Sequence, residues 1–300
     1  MAPGLRRIPL PSVDWSSYDV VKAVFHRGFQ TVEDYGGVDH PFIITKLGSV
    51  VGAEDIPGIY FYGEQRERLF ALQKKISAAS RFVTVLSRQA GDLWHNSVSR
   101  DDDLLLVPGG VDRDIPKRGA DPYPSSIKKR CVFAGNIYSR TVQPEAHQVL
   151  VEKLNRLGRA LREQGTHLFF LGVGDTDTLD STAVTSIGSV EYEKSWQYLF
   201  HASVGIVVSA GDFMHNNEST KIYHYLRAGL PVVCEAGFPN DHVVHEAGLG
   251  FVVDDHEMNE MASKAEIAIS TEWNREHAIK YILENHTWDA RTDIYHELMP

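Results

Sequence analysis

Short, continuously apolar runs alternate with amphipathic helical stretches through the second half of the chain, and no other sequence feature limits the possible folds as strongly. The runs His167–Leu171 and Val204–Ser209 are apolar at nearly every position. The stretches Pro144–Gln164 and Ser219–Ala228 instead carry apolar residues three and four positions apart. Strands that are apolar on both faces are typical of parallel sheets covered by helices. The pattern predicts a doubly wound α/β domain with its ligand site at the carboxyl ends of the strands.

The same patterns predict the remaining elements. Further strands are expected at Cys131–Gly135, Ile187–Gly188, Pro231–Cys234 and Phe251–Val253, and further helices at Trp196–His201, Asp241–Ala247, Thr271–Leu283 and Trp288–Met299. The first half predicts a similar but less regular α/β arrangement. Its strands are expected at Tyr18–Phe25, Pro41–Thr45, Phe82–Leu86 and Leu104–Val107, and its helices at Glu64–Ala79 and Arg88–His95.

The chain has 300 residues, about twice the usual domain size, so two domains are expected. Residues 113–130 are rich in proline and charged side chains, which is typical of an exposed linker. The predicted organisation is an N-terminal lobe over 1–112, a linker over 113–129, a C-terminal domain over 130–285 and a final helical segment over 286–300.

Charge and cysteine content limit the functions and the compartment. The net charge of −10 argues against a nucleic-acid partner, whose phosphates would be repelled. Residues 1–130 hold 18 basic against 16 acidic side chains, which leaves peripheral contact between the N-terminal lobe and a membrane surface open. Cys131 and Cys234 both lie in apolar runs and read as core residues. With no apolar signal-peptide core after Pro9 and Pro11, a cytoplasmic protein is expected.

Glycines follow three of the predicted strands. They stand in Gly135-Asn136, in Gly172-Val-Gly174 and in Gly188-Ser189. Glycine at the carboxyl end of a strand lets backbone N–H groups approach a ligand, because no Cβ blocks them. No complete Gly-x-Gly-x-x-Gly sequence follows these strands, which argues against a dinucleotide dehydrogenase. A main-chain site for a nucleotide base is expected near Gly188 and Ser189.

The segment from Glu218 to Val233 carries the strongest functional signal. Ser219 and Thr220 stand where a helix is predicted to begin, and Lys221 follows in its first turn. The first turn of a helix exposes unpaired N–H donors and the positive end of its dipole, so a lysine there is unfavourable without a compensating anion. A bound diphosphate would supply that anion, and Arg140 is a second candidate for contacting it.

These segments resemble glycosyltransferase family 4 and its GT-B relatives. The residues from Leu105 to Asp112 are similar to the family's inter-domain segment "v-i-P-n-G-v-D". The residues from Lys221 to Val233 are similar to its "K-l-x-E-Y-l-A-x-G-x-P-V-V" sequence. Phe133-Ala-Gly-Asn136 and Phe170-Leu-Gly-Val-Gly174 resemble its first two strand–loop junctions. The terminal helix from Trp288 to Tyr295 resembles the family's helix that returns to the N-terminal lobe, and the lobe over 1–112 is short compared with that of the family. The likeness covers roughly residues 80–300.

The resemblance implies a GT-B fold, in which two Rossmann-like domains face a cleft. It also implies a hexosyltransferase that moves a sugar from a nucleotide-diphosphate sugar, with UDP favoured over GDP, to a hydroxyl of a glycan, a glycolipid or a small molecule. The donor is a co-substrate, and neither a further cofactor nor a metal is implied. Lys221 and Arg140 would neutralise the departing diphosphate, while the strand-end glycines, Glu218, Ser219, Thr220 and His224 would hold the nucleotide sugar.

One departure from the family bears on mechanism. Family 4 members usually carry two glutamates separated by seven residues, and Asn216 and His224 stand at those positions here, with Glu218 two residues out of register. His224 could still bind ribose hydroxyls. The missing pair favours an inverting relative or a divergent clade over a retaining enzyme.

An inverting enzyme needs a general base near the acceptor hydroxyl. His26, expected at the end of the first strand, is the leading candidate, followed by Asp34 and Glu33 in the predicted loop over 31–40. On this hypothesis His26→Ala lowers turnover at least about 100-fold.

Two alternatives stay open at this point. A sugar-nucleotide epimerase on the same fold would release an epimerised donor without using an acceptor. A pseudo-glycosyltransferase would bind the nucleotide sugar without hydrolysing or transferring it.

Overall fold

The computed structural model describes residues 7–52, 63–98, 104–254 and 256–298, and the chain divides into two compact α/β units. The N-terminal unit comprises Met1–Pro108 with Ile294–Pro300, and the C-terminal unit comprises Gly109–Asp293. Each unit has its own parallel sheet. None of the helices in the described ranges combines the length and the apolar character needed to cross a membrane.

The N-terminal unit holds a four-stranded sheet in the sequential order β1-β2-β3-β4. Ile43, Val83 and Trp94 are among its buried core residues. Short 3₁₀ turns at Leu10–Ser12 and Trp15–Ser17 precede the sheet. The strands are β1 Val21–Val24, β2 Ile43–Lys46, β3 Phe82–Val85 and β4 Leu104–Leu106, and the helices are α1 Phe25–Asp34, α2 Gly63–Ala79 and α3 Arg88–Val98.

The start of this unit differs from the prediction. The expected strand over Tyr18–Phe25 is only four residues long, because Phe25 adopts a φ of 62° and α1 begins there. The ring of Phe25 lies against Gly48, where an added Cβ would come within 2.5 Å of it. His26 is therefore a helical residue, and the predicted loop over 31–40 is helical as far as Asp34.

The C-terminal unit holds a six-stranded parallel sheet in the order β10-β9-β8-β5-β6-β7. Helix α4 buries a stripe that includes Leu150, Leu154 and Leu157, and it packs against α8, while α6 packs against α9. The strands are β5 Arg130–Asn136, β6 His167–Val173, β7 Val184–Gly188, β8 Val204–Val207, β9 Val232–Glu235 and β10 Gly250–Val253. The helices are α4 Pro144–Glu163, α5 Tyr192–His201, α6 Thr220–Arg227, α7 His242–Glu246, α8 Met258–Ser270 and α9 Arg275–Asn285. Helix α10, Trp288–His296, begins in this unit, and its residues from Ile294 onward belong to the N-terminal unit.

The last helices differ from the prediction in extent. Helix α8 was not predicted, and α9 begins at Arg275 and not at Thr271, because Asn274 caps it by accepting a hydrogen bond from the Nα of His277 at 3.1 Å. Helix α10 ends at His296, and Met299, the predicted end, lies outside the described residues.

The residues predicted to form an exposed linker are held on the C-terminal unit. We call residues 113–123 the strap. Gln197 of α5 donates to the Lys117 carbonyl at 3.0 Å and accepts from the Gly119 N–H at 2.5 Å. His201 of α5 contacts the Gly119 carbonyl at 2.9 Å. The Tyr123 hydroxyl donates to the Tyr198 carbonyl at 3.0 Å. The strap thus has the sequence of an exposed linker, but hydrogen bonds to α5 fix its backbone.

The strand order reverses at β5, which pairs with β6 on one side and with β8 on the other, all parallel. β8 pairs with β5 only at Cys131 and Val132, so the two strands part beyond that point. The Tyr225 hydroxyl fills the gap and accepts a hydrogen bond from the Ala134 N–H at 2.7 Å. Its ring lies against Gly205, where an added Cβ would come within 2.4 Å of it. A crevice at such a switch point is where ligands bind in doubly wound sheets.

Removing the Tyr225 hydroxyl is expected to destabilise the protein. Tyr225→Phe leaves the Ala134 N–H without an acceptor in a largely buried position, which costs about 1–3 kcal/mol. Chemical denaturation monitored by circular dichroism measures the loss. Tyr123→Phe is the matched control, because the Tyr198 carbonyl that it contacts also accepts from the Ala202 N–H. An equal loss of unfolding free energy in the two variants would show that the hydrogen bond to Ala134 contributes no more to stability than the control hydrogen bond to Tyr198.

Candidate functional site

The glycines at the carboxyl edge of the C-terminal sheet bring neighbouring chain segments together. Gly135 of β5 pairs with Gly172 of β6. Gly172 has a φ of 155°, and an added Cβ would lie 1.6 Å from the Gly135 carbonyl oxygen. A Cβ on Gly174 would lie 2.0 Å from the Ile137 carbonyl oxygen. These glycines are required for the packing of the strand ends, which forms the floor of the crevice. Gly188 differs, because it has a φ of 82° and no heavy atom stands within 4 Å of an added Cβ.

Helix α6 begins at this edge with unfilled hydrogen-bonding capacity. Asn240 fixes the preceding residue, Ser219, by accepting from its N–H at 2.8 Å and donating to its carbonyl at 3.0 Å. Ser219 has no side-chain hydrogen bond to the first turn. The N–H groups of Thr220 and Lys221 therefore remain open to an incoming acceptor, and the positive end of the helix dipole favours an anion there.

Lys221 lies in the crevice without a carboxylate partner among the described residues. Its Nζ stands 3.3 Å from the position that a Cβ on Gly135 would take and 5.2 Å from the centre of the Phe133 ring. Burial lowers the pKa of Lys221 to about 8. A partly buried cation without a counter-ion is unfavourable, and an anion bound beside it would stabilise it.

A cavity of about 190 Å³ opens beside Lys221. It is bounded by the β5 and β6 strand ends and by helices α5 and α6, and its walls are mainly apolar and aromatic. Thr220, Lys221 and His224 place polar atoms on it. The lining is Ala134, Leu171, Tyr192, Ser195, Trp196, Leu199, Thr220, Lys221, His224 and Tyr225.

His224 is the neutral polar group of this cavity. Its ring lies edge-on to Trp196 with the ring centres 6.2 Å apart. Burial, and then the positive charge of Arg227, lower the pKa of His224 to about 4. Arg227 itself is fully buried, with its guanidinium 4.5 Å from the centre of the Trp196 ring. A neutral imidazole has one N–H donor and one acceptor nitrogen, which suits a hydroxyl ligand.

The Glu218 carboxylate is engaged within the protein. It accepts hydrogen bonds from the Gly109 N–H and from the Tyr223 hydroxyl, the latter at 2.7 Å. Burial raises the pKa of Glu218, although both hydrogen bonds oppose that shift. Glu218 thus joins the segment before α6 to Gly109, and this contact takes up the oxygens that were expected to contact the nucleotide sugar.

Three other predicted residues lie in exposed positions. Arg140 forms an ion pair with Asp177 at 3.3 Å, and its backbone N–H donates to Asp175 at 2.7 Å. Asn136 ends β5, and Ser189 follows β7. No contact links these side chains to Lys221. Among the described side chains, no group of three His, Cys, Asp or Glu residues could hold a metal ion.

The predicted acceptor-side residues do not have the expected surroundings. His26 is 8% exposed, and its Nε2 is 3.1 Å from the side-chain oxygen of Gln73, which also bonds the Val51 N–H. Burial lowers the pKa of His26. This environment gives His26 a structural role and does not fit an accessible general base. Asp34 lies at the far end of the ten-residue α1, about 15 Å along the chain from the carboxyl end of β1, and it accepts from Gln30.

Sequence reasoning identified Ser219 but missed His215 and Asn217 in the loop before α6. The His215 Nε2, the Asn217 Oδ1 and the Ser219 Oγ are buried without a hydrogen-bond partner. The His215 ring lies over Gly237, where an added Cβ would come within 2.7 Å of it. Buried polar atoms are normally paired, so these three mark a place for a ligand or water. Nothing in their spacing distinguishes them from ordinary loop residues.

The comparisons with known proteins agree on the fold and on the character of the C-terminal domain. The two parallel-sheet units have the GT-B fold, as predicted. Residues 132–275 match the model of the Glucosyltransferase 3-like C-terminal domain. Together, these findings confirm the predicted GT-B fold and a glucosyltransferase-like C-terminal domain. A comparison with curated protein sequences finds no match.

Three solved structures illustrate the likeness in fold. Sucrose-phosphate synthase from Thermosynechococcus elongatus aligns with a TM-score of 0.69 and 15% identity, over 94% of this chain and 74% of that chain. Anabaena HepE, solved in complex with UDP-glucose, aligns with a TM-score of 0.70 and 13% identity, over 94% of this chain and 78% of HepE. A UDP-forming α,α-trehalose-phosphate synthase from Burkholderia xenovorans aligns with a TM-score of 0.67 and 11% identity, over 94% and 72%.

Replacing Lys221 by an apolar residue is expected to stabilise the ligand-free protein. Burial lowers the pKa of Lys221 to about 8, so the charged form destabilises the native state below that pH. Lys221→Met should raise the free energy of unfolding at pH 7 by roughly 1–2 kcal/mol, less than the full pKa shift implies because the side chain is partly exposed. The gain should shrink as the pH rises from 8 towards 10.5. Lys194→Met, at an exposed position of α5, is the control and should change little. A destabilised Lys221→Met would contradict the burial argument.

Proposed function

We propose that this chain transfers a sugar from a UDP-sugar, with the donor diphosphate held at the start of α6. One observation carries the proposal: Lys221, a partly buried lysine without a carboxylate partner among the described residues, faces Gly135 at the switch point of the sheet. The open N–H groups of Thr220 and Lys221 add donors to the same place. A diphosphate matches both the charge and the donors.

Two observations support a uridine donor. Anabaena HepE, which shares the fold, was solved with UDP-glucose, and the trehalose-phosphate synthase is described as UDP-forming. In this chain the base would lie against the backbone around Gly188, where the positive φ and the open space leave the main chain accessible. Ile187 and Val190 pack against the core and hold this loop.

Neutral His224 would bind the ribose hydroxyls from the other side of the cavity. Its imidazole can donate to one hydroxyl and accept from another, and it adds no charge next to Lys221. The unpaired atoms of His215 and Asn217 would receive the hydroxyls of the transferred sugar. These assignments replace the sugar contact first expected of Glu218, whose carboxylate bonds Gly109 and Tyr223.

The reaction requires the bond between the anomeric carbon and the diphosphate oxygen to break while an acceptor hydroxyl forms the new glycosidic bond and loses its proton. Negative charge builds up on the leaving diphosphate, and Lys221 with the helix N–H groups would stabilise it. We assign no acceptor-side base, because His26 bonds Gln73 and Asp34 lies at the far end of α1. Arg140 would join the site only by exchanging Asp177 for phosphate.

The acceptor and the location are parts of the same proposal. The acceptor is a hydroxyl of a glycan, a lipid-linked glycan or a small molecule, with peripheral membrane contact through the N-terminal unit for a lipid-linked one. Cytoplasmic location fits two buried cysteines that form no disulfide.

A second function is favoured by one observation. The buried environment of His26 leaves no predicted general base in an accessible position. A pseudo-glycosyltransferase that binds the nucleotide sugar without chemistry would have this property. Slow hydrolysis of the donor in the absence of an acceptor distinguishes the enzyme from the pseudo-glycosyltransferase, because only the enzyme catalyses the attack of water on the anomeric carbon.

Calorimetry with UDP, GDP and ADP tests the donor site. UDP should bind most tightly, and Lys221→Ala should weaken its binding at least about 10-fold, since a charge-assisted contact contributes about 1.5–3 kcal/mol. Lys194→Ala removes a lysine of the neighbouring helix α5 outside the cavity lining and should bind normally. Equal UDP affinity in Lys221→Ala and the wild-type protein would refute the site. Tighter binding of GDP than of UDP would identify a GDP-sugar as the donor.

The affinity for UDP should also depend on pH. A terminal phosphate is fully ionised above pH 7, whereas Lys221, with a pKa of about 8, loses its charge as the pH rises from 7 to 9. UDP binding should therefore weaken over that interval. Lys221→Arg keeps its charge at every pH tested, so its affinity should stay level. A wild-type affinity that is constant from pH 7 to 9 would exclude contact between Lys221 and the diphosphate.

A further inference from the structure

A second and larger cavity, of about 580 Å³, lies in the C-terminal unit. It is lined by Ala202, which precedes β8, and by Leu230, which precedes β9. These residues stand at the amino ends of the two strands. The cavity thus opens at the opposite edge of the sheet from Lys221, and of its lining residues only Leu199 of α5 also lines the cavity beside Lys221.

The strap brings a cation to this cavity. Gln197 and His201 of α5 hold the backbone of Lys117 and Gly119, and Arg118 lies between these two residues. Arg118 lines the cavity together with Ile115 and Pro116. The hydrogen bonds on both sides fix the strap locally, so the arginine is presented by an ordered backbone.

A second arginine lines the same cavity from the start of α9. Arg275 donates from Nη1 to the Gly229 carbonyl at 2.5 Å, which leaves its remaining N–H donors free for another acceptor. Partial burial lowers the pKa of Arg275, and the positive charge of Arg118 lowers it further, so the two guanidinium groups repel each other across the cavity. Within the described ranges, no carboxylate forms an ion pair with either arginine.

The charge of this place contrasts with its surroundings. The C-terminal unit, Gly109–Asp293, holds 18 basic and 26 acidic side chains, yet two arginines meet at one cavity without a carboxylate partner among the described residues. The positive end of the α9 dipole lies there as well, because that helix begins at Arg275. Both arginine side chains are exposed, so solvent screens part of the repulsion between them, and a bound anion would relieve the rest.

The other walls of the cavity are apolar. Strap residues form one side, the end of α5 another, and α9 a third. The larger apolar side chains on the lining are Ile115, Pro116, Leu199, Phe200, Leu230 and Ile279. A ligand that fills the space must therefore combine an anionic group with an apolar body.

We propose that this cavity binds a phosphate monoester carried on an alkyl chain. A phosphate monoester has a charge between about −1.5 and −2 at pH 7, which matches two guanidinium groups, whereas a carboxylate would leave one charge uncompensated. Its oxygens can accept from both planar forks at once. The apolar walls would take the first carbons of the chain. Two sources share this chemistry, a soluble alkyl phosphate and the headgroup of a phosphatidate in a bilayer.

Calorimetry with hexyl phosphate, inorganic phosphate and hexanol tests the proposal on the full chain. Hexyl phosphate should bind at least about 10-fold more tightly than inorganic phosphate, and hexanol should give no signal, because both parts of the ligand contribute. The double variant with Arg118→Gln and Arg275→Gln should weaken the binding of hexyl phosphate at least about 10-fold. Lys280→Gln is the matched control, since it removes a charge from α9 outside the cavity lining.

Two further variants separate the proposal from its alternatives. Ala202→Leu should weaken hexyl phosphate and leave inorganic phosphate unchanged, because it fills the apolar part of the cavity. Lys221→Ala should bind hexyl phosphate normally, so failure here is distinguishable from failure of the donor site. Binding that survives the double arginine variant, or no binding of hexyl phosphate by the wild-type protein, would overturn the proposal.

Vesicle sedimentation distinguishes the two sources. If the ligand is a headgroup, the protein should sediment with vesicles of phosphatidylcholine and phosphatidate, and this retention should require both arginines. Retention that the double arginine variant abolishes supports the lipid source, whereas calorimetric binding without retention supports the soluble one. Retention that the double variant leaves unchanged would contradict a headgroup role for this cavity.

Discussion

The parting of β5 and β8 is the constraint on which the rest of the C-terminal unit depends. The strand order of this parallel sheet reverses between β5 and β8, and the pairing of these two strands stops after Val132. The cost of the open edge is met by Tyr225, whose hydroxyl bonds the next free N–H. Because Tyr225 belongs to α6, the contact that closes the gap also fixes the helix whose first turn faces the crevice. Fold stability and site geometry thus share one side chain.

Lys221 illustrates the opposite relation between stability and function. Its charge is poorly solvated and has no carboxylate partner in the described part of the chain, so it weakens the empty protein. The same lack of a partner gives an anion the full benefit of the charge. A carboxylate beside Lys221 would make the fold more stable and the crevice less able to hold a diphosphate. The neutral state of His224 is consistent with this arrangement, since a second cation would increase the repulsion in the empty site.

The strands and most helices of the C-terminal unit were predictable because their signal is local. Apolar runs such as those before Gly135 and Gly172 identify buried strands by themselves, and the helix start at Thr220 follows from its sequence. The N-terminal unit was harder, since the turn that ends β1 depends on the packing of Phe25 against Gly48, a contact between distant positions. Side-chain direction could not be predicted at all. Glu218 lies where a nucleotide contact was expected, but it bonds Gly109, and His26 follows a strand yet bonds Gln73.

The glycines at the ends of β5 and β6 have a consequence for reading such sequences. Gly172 and Gly174 are required by neighbouring backbone oxygens, with or without a ligand. A homologue that had lost every trace of catalysis would therefore keep them as long as it kept its fold. The glycine pattern therefore reflects the requirements of the fold, whereas an unpaired charge such as that of Lys221 does not stabilise the fold. In a lineage that abandons its substrate, the lysine should drift first and the glycines should remain.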